Sequence, residues 1–321
     1  MGITTIPTLN KPSALMGMPG VGGSLIKTTG NVYYVNGFTG LDTRTGLNPN
    51  YPLLTIAHAL THCVNDHDDY IIVLDHWQEA WPVAINVTRV HIIGVGVDPS
   101  HPYVALNAAA DTAIFNLTGA SNNCEIAGFS FGGGNTRAGI ENLGGSPMGI
   151  YIHDCAFGHI FAGDTPQDGI RCDGGNFTNI RVENNNFYGA LAPGGGTITR
   201  SGIRWISGGD PVGGTIKGNV FKGLTIAINF IQVAPASGGF IVTDNLFFLD
   251  IADAGPFGWA ITVNGPNNLI GCIFQNNHAT QTGDGTGNIP YRDLSTGVAA
   301  TTLNGWVMNY SGIVALIPSV V

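Results

Sequence analysis

The sequence predicts an all-β chain: a single-stranded parallel β-helix, or solenoid, closed at its start by one capping helix and preceded by an extended N-terminal arm. Three observations carry that expectation. The first is a phrase ending in Phe: "DCAF" at 154–157, "NNNF" at 184–187, "GNVF" at 218–221, "DNLF" at 244–247, "GCIF" at 271–274, and an imperfect "GFSF" at 128–131. Its rings, Phe131, Phe157, Phe187, Phe221, Phe247 and Phe274, are separated by 26, 30, 34, 26 and 27 residues. The second is a phrase built on Ile: "AGIEN", "DGIRC", "SGIRW", "IAINF" and "WAITV", centred on Ile140, Ile170, Ile203, Ile228 and Ile261. The third is composition. With 48 Gly and only 10% charged residues, the chain favours tight turns over long charged helices.

A recurrence of roughly 20 to 50 residues marks units that cannot bury their apolar face alone and must stack on a neighbour. Each unit here holds at least two short alternating strands separated by Gly, Asn and Asp turns, with no helical segment between them. Propeller blades run to about 40 residues or more in four antiparallel strands. A parallel β-helix instead stacks equivalent residues about 4.8 Å apart and lets loops absorb variable length. Phe in the same place of each coil then forms an internal aromatic stack. Asn185, Asn219 and Asn245, two places before the ring, are expected to take the left-handed turn while each amide bonds the next along the axis. Cys155 and Cys272 stand at that same place and read as small packed side chains. The five cysteines are odd in number, show no short-range pairing pattern and are expected to be reduced.

In chain order, residues 1–30 form the arm. Pro7, Pro12, Pro19 and several Gly forbid regular structure there, while Ile3, Ile6, Leu9 and Leu15 offer apolar anchors that ask for a surface. Residues 31–69 supply an opening strand, a loop and the helix, drawn from "YPLLTIAHALTHCVND" with Ile56, Leu60 and Cys63/Val64 at helical spacing. Residues 70–285 form the β-helix, and 286–321 a C-terminal cap or apolar tail.

The order "VYYVNGFTGLDTRTGLNPNYPLLTIAHAL", "IIVLDHW", "VTRVHIIGVG" resembles the opening segment of pectate-lyase-like right-handed β-helix proteins, particularly versions encoded by tailed phages. The motif match spans about residues 31–131, and the repeat extends it to about 280. It implies a right-handed solenoid. It also implies a non-enzymatic virion structural protein, either a capsid decoration or cement protein or a tail appendage component, assembled in the host cytoplasm. Two alternatives accompany it: a tailspike-like polysaccharide lyase or hydrolase, and a glycan-binding adhesin using aromatics such as Trp77, Trp81 or Trp259. The implied partners are two further copies in a homotrimer, other virion proteins such as the major capsid protein, and a host glycan.

Composition narrows the partners further. A net charge of −9 with 12 Lys and Arg leaves little to neutralise phosphates, so nucleic acid is not expected. No run of about 18 apolar residues and no basic, apolar leader occurs, so neither a membrane span nor a secretory signal is expected. If each Ile points inward, the next residue points outward, giving an exposed column Glu141, Arg171, Arg204, Asn229, Thr262. Two places further on stand Leu143, Asp173, Ile206, Ile231 and Asn264, in which Ile206 and Ile231 suit a subunit contact. Were the chain an enzyme, its acid and base would come from Asp168, Asp173 and Glu141, with Asp164 and Asp210 on adjoining loops. Asp beside Gly is the ordinary composition of a turn, so no catalytic set is assigned. No cofactor is expected, and His58 and His62, four apart on the helix, lack the acidic residue of a metalloprotease phrase, so no metal is assigned.

Overall fold

The structure, a computed structural model, describes residues 30–76, 79–96, 104–107, 111–132, 137–158, 167–189, 201–206, 212–231, 238–249, 259–264, 271–281, 291–293, 304–311, 314–315 and 319–320. The arm with Ile3, Ile6, Leu9 and Leu15 lies outside these residues, as do Trp77, Asp164 and Asp210.

The chain is a parallel β-solenoid with three faces. A ten-stranded sheet, here the long sheet, runs from Val32–Asn36 to Gly305–Val307. A nine-stranded Ile sheet runs from Val83–Ile85 to Ser319–Val320, and a nine-stranded Phe sheet from Val104–Asn107 to Val314–Ala315. One coil illustrates the path: Asp168–Asp173 in the Ile sheet, Thr178–Glu183 in the long sheet, Asn186–Tyr188 in the Phe sheet, then Ser201–Ile206 back in the Ile sheet. Pairing is parallel throughout the described strands except at the last step, where Val314–Ala315 turns antiparallel to Tyr310–Ser311. The sheets continue past residue 285, since Tyr291–Asp293 pairs with Trp259–Asn264 and Gly305–Val307 with Ile273–Gln275.

Inside, like stacks on like. Ile140, Ile170, Ile203, Ile228 and Ile261 are in register and buried, with Phe115 before them and Tyr291 after. The rings of Phe131, Phe157, Phe187, Phe221 and Phe247 stack face to face with centroids 4.7, 4.7, 4.6 and 5.0 Å apart. Phe274 is not the next rung. It lies in the long sheet opposite Val242 and stacks on Trp306 at 4.0 Å, while the residue above Phe247 is Ala279. The true rung is "NNHA" at 276–279, in which Ala replaces the ring; "GCIF" repeats the wording in a different sheet.

The Phe column also explains the small residue before each Ile. A Cβ on Gly169 would sit 2.7 Å from the ring of Phe187, and one on Gly202 2.7 Å from Phe221, so ring and glycine fill one space.

The Asn ladder is longer than the sequence suggested. The side-chain amide of Asn185 donates to Asn219 Oδ1 at 3.1 Å, Asn219 to Asn245 at 3.0 Å, Asn245 to Asn277 at 3.0 Å and Asn277 to Asn309 at 2.9 Å. Each Oδ1 also accepts the backbone N–H of the residue below, beginning with Cys155 on Asn185 at 2.9 Å. Turning and bonding are divided between neighbours. The left-handed residue stands one place before the ladder, at Asp154, Asn184, Gly218, Asp244, Asn276 and Met308. Cys155 does occupy the ladder position. Cys272 belongs to another corner, where its N–H donates to Asn304 Oδ1 at 3.1 Å.

The helix spans Ile56–His62, shorter than the apolar spacing implied: Cys63 is its C-cap and Val64 is exposed. Ile56, Ala59 and Leu60 bury into the first coil, against Val32–Asn36, Asp69–Asp75 and Val83–Ile85. Thr55 Oγ1 accepts His58 N–H at 3.1 Å as N-cap, and Glu79 accepts Ile56 N–H at 2.7 Å.

Candidate functional site on the outer face of the Ile sheet

The register places Glu141, Arg171, Arg204, Asn229 and Thr262 in one outward column, with Asp168 beside Ser201 three positions earlier on the paired strands. Asp168, Asp173 and Glu141 are brought together around a single guanidinium. Arg171 Nη2 donates to Asp173 Oδ2 at 2.7 Å, Nη1 lies 3.7 Å from Asp168 Oδ2, and Nε lies 3.3 Å from Glu141 Oε1. Arg137 binds Glu141 through Nε at 2.9 Å and Nη2 at 2.7 Å, and Arg204 Nη1 donates to Asp168 Oδ2 at 3.4 Å.

The expectation that this whole column is exposed is corrected. Glu141, Asn229 and Thr262 are buried, because side-chain alternation fixes direction and the neighbours decide exposure. Arg137 and Arg171 bind Glu141 from two sides, and Thr262 Oγ1 donates to Asn229 Oδ1 at 2.8 Å. The side chains of Glu141 and Asp168 are 0% and 1% exposed, whereas Arg137, Arg171 and Arg204 keep 29%, 17% and 23% and Asp173 34%. The face therefore seals two carboxylates beneath partly open guanidinium groups.

Several buried polar atoms on this face lack a hydrogen bond: Arg171 Nε, Arg204 Nε, Ser201 Oγ and Asn116 Oδ1. Arg171 Nε is near enough to Glu141 for ion pairing but misaligned for a hydrogen bond. Burial pushes the Asp168 carboxyl up to about 6, and the charges of Arg204 and Arg171 offset that only in part.

A second polar cluster, on the outer face of the long sheet, was missed in the sequence. His91 Nδ1 and His153 Nε2 meet Glu125 at 2.5 and 2.8 Å, and His153 Nδ1 meets Asp154 at 2.7 Å. Burial pushes the Glu125 carboxyl up, but its hydrogen bonds with His153 and His91 outweigh this and hold it at about 2. Burial likewise lowers the His153 imidazole, yet Asp154 and Glu125 carry it up to about 9. Tyr70 stacks on His91 at 4.2 Å and Tyr151 on His153 at 4.1 Å. A signal was present. Six places before each ring stand Glu125, Tyr151, Arg181, Thr215 and Ile241, and five places before stand Ile126, Ile152, Val182, Ile216 and Val242, all in register.

Among the described residues no group of three or more His, Cys, Asp or Glu gathers as a metal cage. Burial raises the Cys63, Cys155 and Cys172 thiols to about 12 and the Cys124 thiol to about 11, leaving them poor nucleophiles. Ile206 and Ile231 are half-buried in the single chain, and so are Trp81 and Trp259.

The chain matches no family model and no curated protein. Among solved structures it is similar to a GH136 lacto-N-biosidase from Eubacterium ramulus. The native crystal structure gives a TM-score of 0.33 at 10% identity, covering 88% of this chain and 68% of that one. The selenomethionine derivative gives 0.32 at 11% identity, covering 90% and 68%. Likeness at this level carries no argument about chemistry, which rests on the residues above.

Proposed function

We propose that the chain is a glycan-binding solenoid whose ligand lies along the outer face of the Ile sheet. The observation that carries this reading is the arrangement of Arg137, just before the strand Ala138–Asn142, and of Arg171 and Arg204 on the next two strands, partly open above the sealed Glu141 and Asp168. Guanidinium groups held by buried carboxylates stay oriented without losing their outward donors, and their planar fork suits oxygen-rich and carboxylate-bearing ligands. A regular stack of short strands suits an extended polymer. The resemblance to pectate-lyase-like proteins carries glycan binding as the second alternative to a virion structural role.

The sealing of the two carboxylates favours binding over cleavage. A proton donor must reach the scissile oxygen, and Asp168 and Glu141 are covered. In this reading Glu141 and Asp168 position the arginines, and Asp173 is the one open carboxylate of the three. The full-length protein should retain acidic bacterial surface polysaccharides on an affinity gel, and the Arg171→Gln, Arg204→Gln double variant should lose about tenfold or more of that retention. Equal retention by both proteins removes this face from the reading. Release of reducing ends or unsaturated uronates, abolished by Asp168→Asn with Asp173→Asn, would replace binding with catalysis.

A second reading, a homotrimeric subunit, is favoured by apolar side chains left outside the solenoid. Leu143, Ile241 and Ile273 are 46%, 43% and 42% exposed, on the Ile and long sheets. Three-fold closure would cover such patches without an open edge. A mass in solution corresponding to one chain at micromolar concentration would remove that reading.

A further inference from the structure

We propose that His58 and His62, on the outer surface of the capping helix, form a two-imidazole site for a borderline divalent cation such as Zn²⁺. The two Nε2 atoms are 3.3 Å apart. Two zinc–nitrogen bonds of about 2.0–2.1 Å at a tetrahedral angle separate their nitrogens by about 3.3–3.4 Å, so the rings already stand at chelating distance. Helical geometry accounts for it: residues four apart share one face, and Ile56, Ala59 and Leu60 occupy the opposite, buried face.

The His62 ring and the His58 backbone are each held by neighbours. The Tyr33 ring stacks on His62 with centroids 5.7 Å apart and 29° between planes, while Tyr33 Oη donates to the His62 carbonyl at 3.0 Å. Asn31 Nδ2 donates to Tyr33 Oη at 3.2 Å, so Tyr33 is itself fixed. At the other end, His58 N–H is tied to Thr55 Oγ1 and its carbonyl accepts Thr61 Oγ1 at 2.7 Å. The Tyr33 contact orients the His62 ring before the cation arrives, and the backbone bonds fix where the His58 side chain starts.

Imidazole pairs select zinc, copper and nickel over calcium and magnesium, which take oxygen. Two protein ligands leave two tetrahedral positions open, for water or for a carboxylate or imidazole of a binding partner. The competing arrangement is a simple N–H···N hydrogen bond between the rings, which has the same partners and distance.

Zinc titration calorimetry on untagged, full-length protein separates the two. The chain has nine His, so the decisive quantity is the difference between proteins. Wild type is expected to take up one Zn²⁺ that His58→Ala and His62→Ala each weaken by at least about tenfold. Both ring signals should shift together on zinc addition in imidazole NMR and return with chelator. Both substitutions lie on the outer face, and unchanged urea midpoints without zinc verify that each variant is folded. Equal zinc affinity in wild type and either variant, or no uptake by wild type, overturns the site and leaves the hydrogen-bonded pair.

Discussion

The Phe corner and the outer face of the Ile sheet are built from the same coils and obey opposite rules. At the corner, Asn219 receives from the rung below the bonds it gives to the rung above, and Phe221 touches a ring on either side. Repetition satisfies every group, because each residue is its neighbour's partner. On the outer face successive rungs present Glu141, Arg171, Arg204, Asn229 and Thr262, and buried polar atoms are left without bonds. Identical rungs build a scaffold; unlike rungs at the same register make a surface that can distinguish ligands.

The largest effect should come from breaking the corner. Phe221→Ala is expected to lower unfolding stability by about 3–5 kcal/mol, since the ring is buried between Phe187 and Phe247. Urea denaturation measures it, and a loss under about 1 kcal/mol would show a corner that tolerates a gap. The outer face should respond with the opposite sign. Asp168 titrates near 6 when folded and near the ordinary aspartate value of 3.8 when unfolded. Its protonated form is therefore favoured in the fold, and stability present below about pH 4 is lost as pH rises through about 6. Asp168→Asn mimics the protonated form. Relative to wild type it should gain about 2–3 kcal/mol at pH 8 and nothing near pH 3.5, as followed by urea midpoints across that range. A variant less stable at pH 8 would show that the arginines need the charge.

The smallest effect separates scaffold from surface most sharply. Ile241→Ser, on the exposed side of the long sheet, should change stability by no more than about 0.5 kcal/mol. If Ile241 lies in a subunit contact, the same variant dissociates the assembly in sedimentation measurements.

The corner was legible in the sequence because identical partners must recur, and Phe, Asn and Ile do so at visible intervals. Its misreading at Phe274 has a physical origin. Variable loops allow steps of 26 to 34 residues, so 247 to 274 and 247 to 279 both fit. Only pairing shows that Ala279 is the rung and that Phe274 faces Trp306. The outward column was also legible, since alternation alone sets its direction. Its burial was not, because that depends on where Arg137 and Arg171 lie across Glu141. The Glu125 cluster joins residues 34 and 28 positions apart; counting back from Phe131 and Phe157 reaches Glu125 and Tyr151, but no Phe-ending phrase follows His91 to bring it into line.

The reversed strand Val314–Ala315 bears on how many copies of this architecture can join end to end. A parallel stack repeats its own edge, so a last rung that matched the others would template a strand from another molecule, and that molecule would template the next. Among the described strands, the Phe sheet ends instead on a two-residue strand of opposite direction. An incoming parallel strand finds there the wrong direction on a short edge. Among the described strands of that sheet, a change of polarity in two residues makes the edge a poor template for a further parallel strand.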